Sequence, residues 1–375
     1  MIGASERAEA RVTELDGLRG VLAWTVVASH ILLVSGWYDP LVRRFPIIGD
    51  VPESAVDVFM ILSGFAITHV LMMRPRLDTY FVRRACRIVP AYYIALLLGI
   101  LLNNVAADNL RRLPPGTIGA GYVPIFEIGS ARMWLDAPLH FLFLHGLVPT
   151  ALLPALPYTL LGVAWSLSLE FQFYLIAPAI ITLCRRWRWI LGVLILAVLT
   201  TTLCAGRMMA VFSNAFLPPK ALFFLVGALS LFAIERRGSR IRGWILCLSL
   251  NTALCLFWWL GTGRFYEAIL GPFIWAVVII AVRFDCLGFL RAFLNSRLLQ
   301  LLGRISYSTY LFHAPVIFLL QAMIWRWLNP ASTQSLLCWT AFIGIPAIFL
   351  VSWISWQGIE RPFQRLGRRY GHGPG

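Results

Sequence analysis

The sequence predicts an all-α protein: a polytopic membrane bundle of about ten transmembrane helices plus one re-entrant or interfacial segment. Three observations predict it. The 375 residues are 59% hydrophobic and only 13% charged, with a mean hydropathy of +0.77, a balance that no soluble domain of ordinary composition shows. Apolar runs of span length recur along the whole chain. Lys and Arg gather in alternate connections between those runs, as cytoplasmic loops do.

The runs lie at 18–36, 54–73, 88–107, 163–183, 189–206, 220–234, 244–260, 267–282, 305–325 and 337–357. Before the first stand Glu6, Glu9, Glu14 and Asp16, unlike the basic start of a cleaved signal, so the first helix is expected to be retained. The stretch 137–157 is apolar but broken by Pro138, Pro149, Pro154 and Pro157, which makes it the re-entrant or interfacial element rather than a further span. The chain therefore reads as a single membrane-embedded domain over 1–375, with 358–375 as a short, mobile cytoplasmic tail.

Ten spans place twenty-three of the 32 Lys and Arg residues on one side, including Arg7, Arg11, Arg74, Arg76, Arg236 and Arg237. The other side keeps Arg43, Arg44, Arg111, Arg112, Arg132, Arg207, Lys220, Arg264 and Arg326. Both termini are then cytoplasmic. The net charge of +15 is spread over these short loops, so topology accounts for it and no nucleic-acid partner is implied. The seven cysteines show no paired spacing, which suggests neither a disulfide framework nor a metal site.

Within the first run, Arg19 is followed eleven residues later by His30. Eleven helical steps are three turns plus roughly 20°, so the two side chains share a face about 16 Å apart, with Ala23 and Val26 between them. Such a strip leaves room for something narrow beside the helix. An ionisable group at that depth marks a functional site by default. Glu170 is flanked at four-residue spacing by Ser166 and Tyr174, a polar stripe on an apolar helix that needs partners or a water-filled cavity. Ser306 and His313 again share a face, either as site residues or as interhelical hydrogen-bond partners. Ser63–Gly64 reads as a close-packing pair, and Asp57 as a complement to a helix N-terminus or a hydrogen-bonding group for a sugar. His69, His140 and His145 read as structural or cavity-lining, and His372 falls in the tail.

Six segments in order resemble the acyltransferase 3 family of integral-membrane enzymes, which acylate, most often O-acetylate, surface glycans and small metabolites. They are LDGLRGVLAWTVVASH with Arg19 and His30, DVFMILSGFAIT, YFVRRACRIVPAYY with Arg84 and Arg87, WSLSLEFQFYLIAP with Glu170, ISYSTYLFHAPV from Tyr307 to His313, and ERPF at 360–363. The resemblance implies a donor, acyl-CoA and most often acetyl-CoA, with no metal. Arg19, Arg83, Arg84 and Arg87 would hold its phosphates by bidentate pairing. His30 would serve as general base or as an acyl-carrying nucleophile, with Glu170 beside it. Asp57, Ser166, Tyr174, Ser306, Tyr307 and His313 would face the acceptor, a glycan, lipid-linked saccharide or glycosylated metabolite. On this reading Glu170 lies on the acceptor side, far from the arginines. The expected location is a bacterial inner membrane, with membrane lipids as surroundings. The rival reading is a transporter or flippase for a lipid-linked saccharide, since intramembrane His and Glu also relay protons. A non-catalytic scaffold would leave the Arg19–His30 strip without a purpose.

Overall fold

The computed structural model describes residues 12–73, 76–234, 240–284 and 286–370, so Glu6, Arg7, Glu9, Arg11, Arg74, Arg236, Arg237 and His372 lie outside the described residues. Among the described residues every regular element is helical. In chain order the α-helices are α1 (Thr13–Val34), α2 (Tyr38–Arg44), α3 (Val51–Met72), α4 (Leu77–Arg111), α5 (Val123–Ala131), α6 (Met133–Phe141), α7 (Trp165–Arg186) and α8 (Arg188–Leu203). There follow α9 (Ala205–Phe212), α10 (Leu217–Ile234), α11 (Arg240–Thr262), α12 (Phe265–Phe284), α13 (Gly288–Leu294), α14 (Arg297–Trp327), α15 (Thr333–Ser355) and α16 (Arg361–Tyr370).

Each of the ten apolar runs falls on a helix. Among the described residues, seven helices can by length and composition cross a membrane, and α8 with α9, bent by 72° at their junction, make an eighth if taken as one span. The remaining two runs give the shorter apolar helices Leu217–Leu231 and Leu248–Thr262. This is a helical, multi-pass membrane protein.

Helix starts follow local chemistry. Glu14 and Asp16 sit in the first turn of α1, where negative charge complements the helix dipole. Ser296 caps α14, and a capping box of Ser332 and Ser335 starts α15. Glycines let backbones touch where spans cross: a Cβ on Gly303 would strike the Asp16 carbonyl of α1, and one on Gly64 would strike the Phe224 carbonyl of α10.

Paired contacts fix the relative directions. Along α1 and α14, Asp16 meets Gly303, His30 meets His313 and Gln321 donates to the Val34 carbonyl, so the two helices run parallel. Tyr307 donates to the Ile88 carbonyl and Asn109 to that of Phe318, which makes α4 parallel to them. Asp57 with Lys220, and Gly64 with Phe224, set α3 parallel to α10. One end of the bundle thus carries the starts of α1, α4 and α14, and the other end the starts of α3 and α10.

Two segments differ from the sequence reading. The arginines of 83–87 were assigned to a loop before a span at 88, but α4 starts at Leu77 and carries them on its own surface. Nothing between Leu77 and Arg87 breaks a helix, and arginine is a good helix former. The segment after the last span was expected to be a mobile tail; instead α15 passes through a π-helical turn, Trp356–Glu360, into α16. Gly367 of α16 packs against Cys86 of α4, an approach that a larger side chain would block.

Candidate active site

The connection between α4 and α7 is an ordered plug. Arg132 pairs with Asp136 at 2.8 Å, and Thr159 donates to the other Asp136 oxygen at 2.9 Å. His140 and His145 stack at 4.2 Å between ring centroids and are fully buried. Tyr92 and Tyr93 of α4 donate to the carbonyls of His140 and Phe141, which binds the plug to the bundle.

Because this plug fills one end of the bundle, α7 begins well inside it. The Val163 carbonyl accepts from the Tyr310 hydroxyl at 2.6 Å, and Tyr310 lies thirteen residues into α14, about 20 Å from its start. The tyrosine hydrogen is spent on that carbonyl, so Ser166, 2.8 Å away, is the donor of the Ser166–Tyr310 bond. One turn beyond Tyr310, His313 reaches His30 across α1 and α14, with Nε2 of His313 at 3.4 Å from Nδ1 of His30 and ring centroids 4.9 Å apart.

Carbonyl contacts fix the tautomers of this pair. His30 Nδ1 lies 2.9 Å from the Val26 carbonyl and His313 Nδ1 lies 3.1 Å from the Thr309 carbonyl. A carbonyl only accepts, so each Nδ1 carries the hydrogen. The single Nδ1 hydrogen of His30 is directed at Val26, so Nε2 of His313, at 3.4 Å, meets only the weaker arm of that shared hydrogen. Among the described residues no donor faces Nε2 of His30, which keeps its lone pair.

In the other direction along α7, Glu170 accepts from both Ser63 of α3 and Tyr174. The Arg84 guanidinium lies over the Tyr174 ring at 5.5 Å and over Tyr80 at 5.9 Å. The Nε of Arg84 is buried with no protein partner. Arg19 pairs with Asp16 at 3.4 Å and lies within electrostatic reach of Arg87, Tyr174 and Glu170. Arg87 in turn is within reach of Glu360, which Ser308 holds by a hydrogen bond. From end to end the order is His30, His313, Tyr310, Ser166, Glu170, Tyr174, Arg84, with Arg19 and Arg87 beside the last.

Several expectations change. Glu170 lies next to the arginines rather than far from them, because Val163 sits deep in the bundle and not at its surface. Ala23 and Val26, expected to leave a free strip, are fully buried by packing. Arg83 is exposed and turned away from Arg84, as the 100° step between helical neighbours requires. Ser306 and Tyr307 donate to the Gly303 and Ile88 carbonyls at 2.8 Å, which ties both to helix packing. Asp57 is no open sugar contact: it is fully buried and paired with Lys220 at 2.6 Å.

Around that pair stand Glu53 and Glu267, at 3.3 and 3.2 Å from the Lys220 ammonium. Arg264 bridges the same two glutamates at 3.0 and 2.9 Å. Trp258 donates to Glu267 and its ring faces Lys220 at 4.5 Å. The sequence reading took Ser63 only as a packing residue and Asp57 as a helix-terminus or sugar contact, and gave no site role to Tyr310, Glu360, Glu53, Lys220, Arg264 or Glu267. The available signals were modest: Tyr310 is one turn from His313, and Lys220 is the single Lys in the chain, set against an apolar run.

With this geometry in hand, comparison with known proteins is informative. A family model described as an acyltransferase domain, that of acyltransferase 3, matches residues 12–357. The peptidoglycan O-acetyltransferase OatA of Listeria monocytogenes is 24% identical over 95% of this chain, which spans only 56% of that protein's length. Nodulation protein 10 of Rhizobium leguminosarum is 26% identical over 97% of this chain and 96% of its own. The acyltransferase MdmB of Streptomyces mycarofaciens is 29% identical over 47% of this chain and 41% of its own. No solved structure matches the chain. A family match over nearly the whole length, laid on a helical bundle with its polar residues gathered inside, identifies the chain as an acyltransferase and a member of the acyltransferase 3 family.

Proposed function

We propose that the protein moves an acyl group, acetyl in the first instance, from acyl-CoA bound at the arginine end to a hydroxyl of a saccharide or glycosylated acceptor entering from the plug end. The unspent Nε2 lone pair of His30, at one end of the file of polar side chains, carries this reading. Arg84, whose Nε lacks a protein partner, is suited to a phosphate, as are Arg19 and Arg87 beside it. Glu170 fixes Tyr174 and Ser63 and so the face on which Arg84 rests.

The acceptor hydroxyl attacks the thioester carbonyl while His30 Nε2 takes its proton. Collapse of the tetrahedral intermediate breaks the carbon–sulfur bond, and the imidazolium returns the proton to the CoA thiolate. The Val26 carbonyl holds the Nδ1 hydrogen of His30, and the Nε2 lone pair of His313, 3.4 Å away, stands beside the charge that His30 gains. Direct transfer suits the geometry, since the lone pair that would form an acyl-imidazole is also the one that must take the hydroxyl proton. The bias of Lys and Arg among the loops supports a reading with both termini in the cytoplasm, in a bacterial inner membrane, and with acyl-CoA reaching the arginine end from that side.

The test is release of CoA thiol from acetyl-CoA by purified protein, followed spectroscopically with wild type and His30→Ala. Thiol release that depends on His30 is expected. A preparation that leaves acetyl-CoA intact while moving a lipid-linked saccharide across vesicles would establish the transporter instead.

A further inference from the structure

The Lys220 cluster has a buried floor and an open rim. Asp57, Lys220 and Glu267 are fully buried, whereas the side chains of Glu53 and Arg264 are 23% and 44% exposed. On the floor, two polar atoms of α3 lack partners: Asp57 Oδ2 and Ser54 Oγ, both in fully buried residues. Three residues apart on one helix, they lie on the same face. Gly271 of α12 lies against this stretch of α3, where an added Cβ would come into ordinary contact with the Ser54 carbonyl and with the Asp57 and Val58 side chains.

Around the rim stand tyrosines. Tyr158 is within electrostatic reach of Glu53, Tyr122 and Lys220, and Tyr38 within reach of Tyr122, Asp50 and Glu53. Burial pushes the Asp50 carboxyl up, helped by the charges of Glu267 and Glu53 and opposed by Arg264. The Tyr122 ring is 40% exposed. Four carboxylates (Asp50, Glu53, Asp57, Glu267) thus face two cations (Lys220, Arg264).

This rim is joined to the histidine pair at two points. Tyr158 lies five residues before Val163, whose carbonyl holds Tyr310 beside His313. Tyr122 lies three residues after Gly119, which packs on the Leu33 carbonyl, and Leu33 lies one turn beyond His30 on α1.

We infer that Tyr122, Tyr158, Asp50, Glu53 and Arg264 form the acceptor subsite, and that it selects a saccharide of hydroxyl-rich, neutral or amine-bearing type over an anionic one. The inference rests on the acyl transfer proposed above, since it names the acceptor class of that same site. Tyrosine rings offer an apolar face for the C–H side of a sugar ring and a hydroxyl for its edge. The carboxylates accept from sugar hydroxyls and from an ammonium group, and Arg264 donates to sugar oxygens. A surplus of carboxylates repels a uronate or phosphate by the like-charge rule that governs partner choice at interfaces.

Binding is measured by titration calorimetry without acyl-CoA, which keeps this test separate from the donor chemistry. The probes are three oligosaccharides of equal length: a glucosamine tetramer, maltotetraose and tetragalacturonate. The glucosamine tetramer is expected to bind at least tenfold more tightly than the uronate, with maltotetraose between them. Asp50→Asn with Glu53→Gln should cut the amine-over-uronate ratio about tenfold. Tyr122→Ala should weaken all three about equally, and, being at an exposed position, it should stay monodisperse on size exclusion. Equal binding of the uronate, no binding by any probe, or variants with unchanged ratios would overturn the inference. Thiol release from acetyl-CoA, assayed on the same preparation, reports separately on the proposed reaction.

Discussion

The polar file from His30 to Arg84 and the Lys220 cluster both bury hydrogen-bonding side chains among apolar helices, yet they satisfy them differently. The file is built of hydroxyls and imidazoles, with one carboxylate and an arginine at the far end. It leaves the His30 Nε2 lone pair and the Arg84 Nε hydrogen without a protein partner. The cluster is built of full charges, and its lysine contacts three carboxylates at once. A buried ammonium is tolerated only when paired, so its partners hold α3, α10 and α12 together at one end of the bundle. The difference teaches where to expect chemistry: the buried charges of Asp57, Lys220 and Glu267 are spent on each other and stabilise, whereas the unspent groups of the file and the open rim of Glu53 and Arg264 are left to react or bind.

That contrast breaks first at His30. His30→Ala should reduce acyl transfer by about 10²- to 10⁴-fold, the range general-base removal produces. The protein should still fold and bind acyl-CoA, because Arg19 lies about 16 Å away along α1 and Arg84 and Arg87 stand on α4. Near-normal turnover would move the reacting base elsewhere in the file.

Lys220→Met should act in the opposite manner. It leaves Asp57 buried without its cation, and Glu267 with Arg264 alone, a loss of about 3–5 kcal/mol by the general behaviour of broken buried pairs. Thermal unfolding in detergent should show it, and a double variant with Asp57→Asn should recover part of the loss. A melt unchanged by Lys220→Met would mean that the cluster does not hold its end of the bundle.

The sequence exposed these two regions to different degrees. Ten helices were legible because apolar length and loop charge are local properties, and Arg19, His30, Arg84, Arg87 and Glu170 were legible as charges in apolar surroundings. The register between helices was not, since it depends on which glycines let which backbones meet. Hence Glu170 was assigned to the wrong half of the bundle. Its depth depends on where α7 starts, and that is set by a plug whose left-handed residues Phe143, Ala155 and Leu160 no helical or strand period encodes. Lys220 was hidden for a similar reason: beside a predicted loop it resembles any flanking cation, and only its three distant carboxylates distinguish it.

Arg84 and Glu170 sharpen the comparison through opposite signs. Arg84→Ala removes a charge-assisted contact worth about 1.5–3 kcal/mol, so acyl-CoA should bind roughly 10- to 100-fold more weakly. Glu170→Gln removes a negative charge beside the same phosphate site, so acyl-CoA affinity should rise a few-fold while turnover falls with the loosened Tyr174 and Arg84. Calorimetry with CoA measures both. An affinity indifferent to Glu170→Gln would return that carboxylate to the acceptor half.

The smallest expected effect lies at Tyr310, midway along the file. Tyr310→Phe keeps the ring beside His313 and Phe59, each at 6.2 Å between centroids. It removes the hydrogen donated to the Val163 carbonyl and the oxygen that accepts from Ser166. A single intramolecular hydrogen bond contributes about 0.5–1.5 kcal/mol, so the melting temperature should fall by only a few degrees. Turnover should fall further than stability does, because the lost bond sets where α7 starts and so where Glu170 and Tyr174 stand relative to His30. Ser166→Ala should cost less than Tyr310→Phe, and in combination with Tyr310→Phe it should add almost nothing, since both remove the same bond. Fully additive losses would show that Ser166 has another partner during turnover, which makes it a substrate contact and not only a brace for Tyr310.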